Sequence, residues 1–164
     1  MGEVHFYHMM RSPLEAVLPR LLGRALEAGW HVAVRGRDAE RLERLDRLLW
    51  EGEEAAFLPH GLAGGPHDAE QPVLLTTGAE RPNGAQCLML IDGAAAAPAD
   101  CAALRRTCIL FDGSDDDAVV AARAQWKALT GAGLAAKYWS DEEGRWQMKA
   151  ESAGATRDTG VDQK

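Results

Sequence analysis

Short apolar runs of strand length alternate along this chain with longer segments whose leucines recur at helical spacing, and that alternation restricts the fold more than any other feature. Val4 to Tyr7 reads as a first strand. Leu14, Val17, Leu18, Leu21, Leu22 and Leu26 then recur with the period of a helix running to about Ala28. Ser12-Pro13 is a good opening for it, since Ser can cap and Pro fits the first turn, and Gly29 supplies the stop. His31 to Val34 is a second strand. Asp38 caps a second helix whose apolar face is Leu42, Leu45, Leu48 and Leu49, with Trp50 at its end. Val73 to Thr77 and Cys87 to Ile91 are further strands, separated by a turn at Arg81 to Gly84. The alanine-rich stretch Gly93 to Ala103 suits a loop with a short helix. Thr107 to Phe111 is a strand, Asp115 to Leu129 a helix, Leu134 to Trp139 an edge strand, and a turn at Glu142 to Gly144 leads into a closing hairpin at Arg145 to Met148. Strands alternating with helices predict an α/β domain of three layers, α/β/α, around a mostly parallel central sheet with right-handed crossovers. Residues 1–150 are expected to form that single domain, and the small, polar residues 151–164 a disordered tail.

The charge balance limits what the domain can bind. A net charge of -7 argues against a protein that wraps nucleic acid backbone, which needs clustered Lys and Arg. Residues 11–47 are nearly neutral, because Arg11, Arg20, Arg24, Arg35, Arg37, Arg41, Arg44 and Arg47 are interleaved with acids. The negative charge gathers instead in Asp112 to Asp117, in Asp141-Glu142-Glu143 and in the tail. Cys87, Cys101 and Cys108 are odd in number and lack CxxC spacing, which fits a reducing, cytoplasmic setting better than a disulfide framework or a zinc site. No apolar run approaches the roughly 20 residues of a membrane span.

A parallel sheet raises the question of a phosphate site after the first strand. The residues there are His8-Met9-Met10-Arg11-Ser12-Pro13, without glycine or a Lys-Ser pair, so neither a P-loop nor a dinucleotide fingerprint is present. No cofactor or metal is expected. His5 and His8 fall on opposite faces of a strand, and His60 and His67 lie in a Gly/Pro-rich loop without an HExxH pattern or paired carboxylates. His60 reads as a structural histidine that fastens backbone carbonyls, and Ser114 or an Asp of the Asp112 to Asp117 run as a helix cap. The competing reading is a small nucleotide-dependent or hydrolytic α/β enzyme that uses His60 and the Asp112 to Asp117 run.

The last helix carries the strongest candidate for a binding site. Val119, Arg123 and Lys127 are four apart and share a stripe, and Trp126 sits on the adjoining face. A basic pair beside aromatic surface can hold an acidic peptide that ends in a hydrophobic residue. The same pattern also describes an ordinary amphipathic helix with solvated cations and a core tryptophan. Direct binding of single-stranded DNA through the arginine-rich second helix and Trp50 is a third reading.

Several segments together resemble the chi subunit family of the bacterial DNA polymerase III clamp loader. They are the opening Val4-His5-Phe6-Tyr7, the helix ending Leu48-Leu49-Trp50, the segment Phe57-Leu58-Pro59-His60-Gly61-Leu62-Ala63-Gly64, the strand Pro72-Val73-Leu74-Leu75, and the run Arg123-Ala124-Gln125-Trp126-Lys127 leading to Gly131-Ala132-Gly133. Trp50, Phe57, Pro59, His60, Gly61 and Gly64 are the structural residues of that likeness. The resemblance spans residues 3–148 and implies a helicase-like, Rossmann-like fold without a working nucleotide site. It also implies a non-catalytic subunit that binds the acidic, Phe-ended C-terminal tail of single-stranded DNA-binding protein, with the psi subunit and the clamp loader as further partners and DNA contacted indirectly. By similarity the tail-binding positions fall on Arg123, Trp126 and Lys127, while Val119 stands where a further lysine is expected. The Asp112 to Asp117 run leads into the same helix and would oppose an acidic ligand unless it lies on another face.

Overall fold

A computed structural model describes residues 2–51 and 59–153. Strands β1 (Glu3–Met9), β2 (Val32–Arg35), β3 (Gly61–Leu62), β4 (Val73–Thr76), β5 (Cys87–Leu90), β6 (Arg106–Asp112), β7 (Ala135–Ser140) and β8 (Gln147–Ser152) form one sheet. Its order is β3-β4-β2-β5-β6-β1-β7-β8. Neighbours are parallel throughout, except that β8 runs antiparallel to β7. Helices α1 (Leu14–Glu27) and α2 (Ala39–Trp50) cover one face, while α3 (Pro98–Ala102) and α4 (Asp116–Gly131) cover the other. The expected three-layer α/β/α architecture is what the chain adopts.

The sequence period explains the layers. β2, β4 and β5 are buried along their whole length, as strands with helices on both faces must be, and so they read as near-continuous apolar runs, broken only by Arg35 and Thr76 at the ends of β2 and β4. Along β1 the side chains alternate: Val4 and Phe6 join the core under α4, while Tyr7 and Met9 join the core under α1. Leu14, Val17, Leu18, Leu22 and Ala25 from α1 meet Leu42, Leu45 and Leu49 from α2 in the larger core. All three cysteines are free and buried within these cores. Gly29 adopts φ +85, the left-handed turn that ends α1.

Three local expectations are corrected. Ser12 does not cap α1: Pro13 occupies the N-cap position without a side-chain hydrogen bond, and the Ser12 N–H is engaged elsewhere. β7 is not an edge strand, because β8 pairs along its outer side. β8 also runs through Glu151 and Ser152, residues read from sequence as the start of the tail; pairing to Lys137 and Ala136 orders them, and composition carries no sign of that.

Two pairs of adjacent strands, β1 with β6 and β2 with β5, send their following connections in opposite directions. The connections beyond their C-terminal ends therefore diverge and leave a cleft of about 900 Å³, bounded by Met10, Arg37, Asp92, Phe111, Asp117 and Gln125.

Candidate protein-docking site

The loop after β1 is where a fold of this kind would hold phosphate, and here a carboxylate of the chain itself fills that position. Asp141, 2% exposed at the end of β7, accepts hydrogen bonds from the backbone N–H groups of Met10 (2.7 Å) and Arg11 (3.1 Å) on Oδ1 and of Ser12 (2.9 Å) on Oδ2. Burial by itself pushes the Asp141 pKa up, but these donors outweigh it and hold the carboxyl below the ordinary aspartate value. The loop is thereby a turn tied to β7, with its donors spent. Within the cleft, Arg41 is likewise engaged, by Glu15 (2.9 Å) and Asp92 (3.0 Å).

At the opposite end of the sheet the Pro-His-Gly segment is structural. The His60 side chain is fully buried, its Nε2 lies 3.1 Å from the Asp46 carbonyl oxygen and 3.2 Å from Asp46 Oδ1, and its ring packs against Trp50 with centroids 4.5 Å apart. Gly61 lets the Gln71 side chain pass where a Cβ would stand, and Gly64 adopts φ +104, which suits glycine alone. Pro59 is exposed, and Phe57 lies outside the described residues. Trp50 remains 52% exposed at the end of α2. His60 adjoins β3 and Asp112 ends β6, with three strands between them, about 19 Å by strand spacing. Thus His60 and the Asp112 to Asp117 run do not form one site.

α4 has two differently charged sides. Asp115 caps it, accepting from the N–H groups of Asp117 (3.0 Å) and Ala118 (3.4 Å). Successive residues advance about 100° around a helix, so Asp117, Ala118, Ala121, Ala122 and Gln125 share the side that lines the cleft. Ala122, Leu129, Val119 and Trp126 pack on the sheet. Asp116, Val120, Arg123 and Lys127 form the stripe turned away from the cleft, and all four are exposed. Among the described residues no carboxylate forms an ion pair with Arg123 or Lys127.

Beside that stripe lies an aromatic floor. Trp126 is half-buried, its ring 5.4 Å from Phe6 and 6.0 Å from Tyr138, so one side is core and the other remains available. The Tyr138 hydroxyl shares a hydrogen bond of 2.9 Å with His8 Nδ1, and His8 packs in turn on Phe111. Burial raises the Tyr138 pKa, with the Arg123 guanidinium acting against that rise. The sequence brings Arg123, Trp126 and Lys127 together, and the structure retains that grouping. Val119 departs from it, being half-buried against the core. Tyr138 and His8 were missed: His8 lies on β1, far from α4 in sequence, and Tyr138, although on the strand that follows α4, meets His8 only through the pairing of β7 with β1; the strand period that puts Phe6 and His8 on one face was the available signal.

The chain is 26% identical over 91 residues to the probable DNA polymerase III subunit chi of Rickettsia prowazekii (strain Madrid E), an alignment covering 56% of this chain and 55%, about half, of that relative. A family model described as DNA polymerase III chi subunit, HolC, matches residues 1–137. The chain therefore belongs to the DNA polymerase III chi subunit family.

Proposed function

We propose that this chain is a non-catalytic accessory subunit of DNA polymerase III that holds the acidic, Phe-ended C-terminal tail of single-stranded DNA-binding protein on Arg123, Trp126 and Lys127. The observation that carries the reading is the exposed pair Arg123 and Lys127, adjacent on α4, without an acidic partner among the described residues and bordered by the Trp126–Tyr138 floor. Charge-assisted hydrogen bonds from these cations to the tail's carboxylates, with the terminal ring against the aromatic floor, make a short linear contact of modest strength. Linked to other contacts in a holoenzyme, it keeps the polymerase near coated template by raising the local concentration of one partner around the other. The psi subunit and the clamp loader are the further partners that family membership suggests.

Calorimetric titration with a peptide matching that tail tests the reading. Micromolar binding that is lost in an Arg123→Ala, Lys127→Ala variant of unchanged thermal stability is the expected result. An intact chain that gives no heat, or a variant that binds as well as the intact chain, overturns it.

A further inference from the structure

We infer that Asp116 is a specificity-determining residue of the α4 stripe, a fixed negative charge that weakens the site for acidic peptides and limits how far toward the helix N-terminus their acidic part can extend. The inference rests on the docking role proposed for Arg123 and Lys127. Four aspartates precede or open α4, but they do not share one face. Asp117 lines the cleft together with Asp112 and Asp115, and the Asp115 side chain is spent on the helix cap. Asp112 is turned back on Ser114, whose Oγ lies 2.6 Å from its carboxylate. Asp116 is the exception. It stands seven residues before Arg123 and eleven before Lys127, two and three turns along the same stripe, with Val120 between. Two turns of helix place it about 10 Å from Arg123 along the axis.

Asp116 is exposed, and no described cation neutralises it. The stripe therefore reads, from the helix N-terminus, as a negative charge, an apolar step at Val120, which is 64% exposed, and then two positive charges. A peptide whose carboxylates lie at Arg123 and Lys127 meets attraction there and repulsion as it advances over Val120. An apolar residue is accepted at that step, and further acids are not. At about 10 Å in water one charge pair changes affinity roughly twofold, and several carboxylates multiply the effect until salt screens it over a Debye length of comparable size.

The test is calorimetric titration of the full chain with a synthetic peptide of several aspartates ending in a carboxyl-terminal phenylalanine, in low and in high salt. Asp116→Asn is expected to tighten binding about threefold and Asp116→Lys about tenfold at low ionic strength, both differences shrinking toward none in about 1 M salt. Asp117→Asn removes the same formal charge from the same first turn but on the cleft side, and is expected to leave affinity nearly unchanged. Circular dichroism melts verify that each variant is folded. If the intact chain binds but Asp116→Asn changes nothing, or Asp117→Asn acts as strongly, the inference about Asp116 is overturned and the docking site stands. If no variant binds, or if binding persists in the Arg123→Ala, Lys127→Ala variant, the docking role fails and the inference falls with it.

Discussion

Asp141 and Met10 lie 131 positions apart in the chain, yet the Asp141 carboxylate accepts the Met10 backbone N–H at 2.7 Å. With the bonds from Arg11 and Ser12, one buried side chain at the end of β7 satisfies three consecutive donors of the loop that leads into α1. α1 has no side-chain cap of its first turn; the Asp141 contact instead fixes the three residues that precede its N-cap Pro13.

Replacing Asp141 by Ala leaves those three N–H groups without their acceptor in a buried place. Stability is expected to fall by about 3 kcal/mol. Thermal melts should show it as a drop of roughly 6–12 °C. Asp141→Asn should be intermediate, because its amide still accepts on one side but turns a donor toward the other N–H. A melt unchanged in both variants refutes the stapling role.

The same carboxylate links stability to pH. Its folded-state pKa lies below the unfolded value, so its contribution is present above the unfolded pKa and is lost as pH falls through the folded pKa. Denaturation midpoints are therefore expected to be flat from about pH 7 to 5 and to decline below that. Asp141→Asn should reduce the decline without abolishing it, since Glu15, held low by its hydrogen bond to Arg41, titrates in the same direction.

Trp126 belongs both to the core and to the proposed site. Trp126→Ala should cost about 2 kcal/mol, less than a fully buried tryptophan, by removing the contacts with Phe6 and Tyr138. Trp126→Phe should retain most of the stability. Peptide binding measured in the Phe variant thus separates the aromatic floor from general unfolding, which the Ala variant cannot do.

His60→Ala should destabilise the fold by about 2 kcal/mol through the lost bond to the Asp46 carbonyl and the lost packing under Trp50. Gly64→Ala should cost about 1 kcal/mol because of its positive φ. Urea titrations measure both. Tryptophan fluorescence should change in the His60 variant, where the ring against Trp50 disappears.

The order of strands and helices was legible because each buried strand and each amphipathic helix carries its own period within a dozen residues. The Asp115 cap was legible for the same reason, as a local bond from one side chain to the next turn. The hairpin at Arg145 to Met148 was legible from its turn, but the extension of β8 through Glu151 and Ser152 was not, since those residues are polar and their order comes from β7. Asp141 looked like one acid in an exposed turn, because the N–H groups that hold it belong to a loop at the other end of the chain.

For the candidate site the division is similar. Sequence by itself determined that Arg123 and Lys127 share a stripe, that Trp126 adjoins them, and that the opening of the chain lacks a phosphate loop, since helical spacing and loop composition are local properties. Only the tertiary structure decided which way each aspartate around the start of α4 faces, that Tyr138 and His8 complete the aromatic floor, and that His60 lies far from the acidic run. Those facts depend on which strands are neighbours, and strand order is set by the burial of whole faces against one another and not by any single segment.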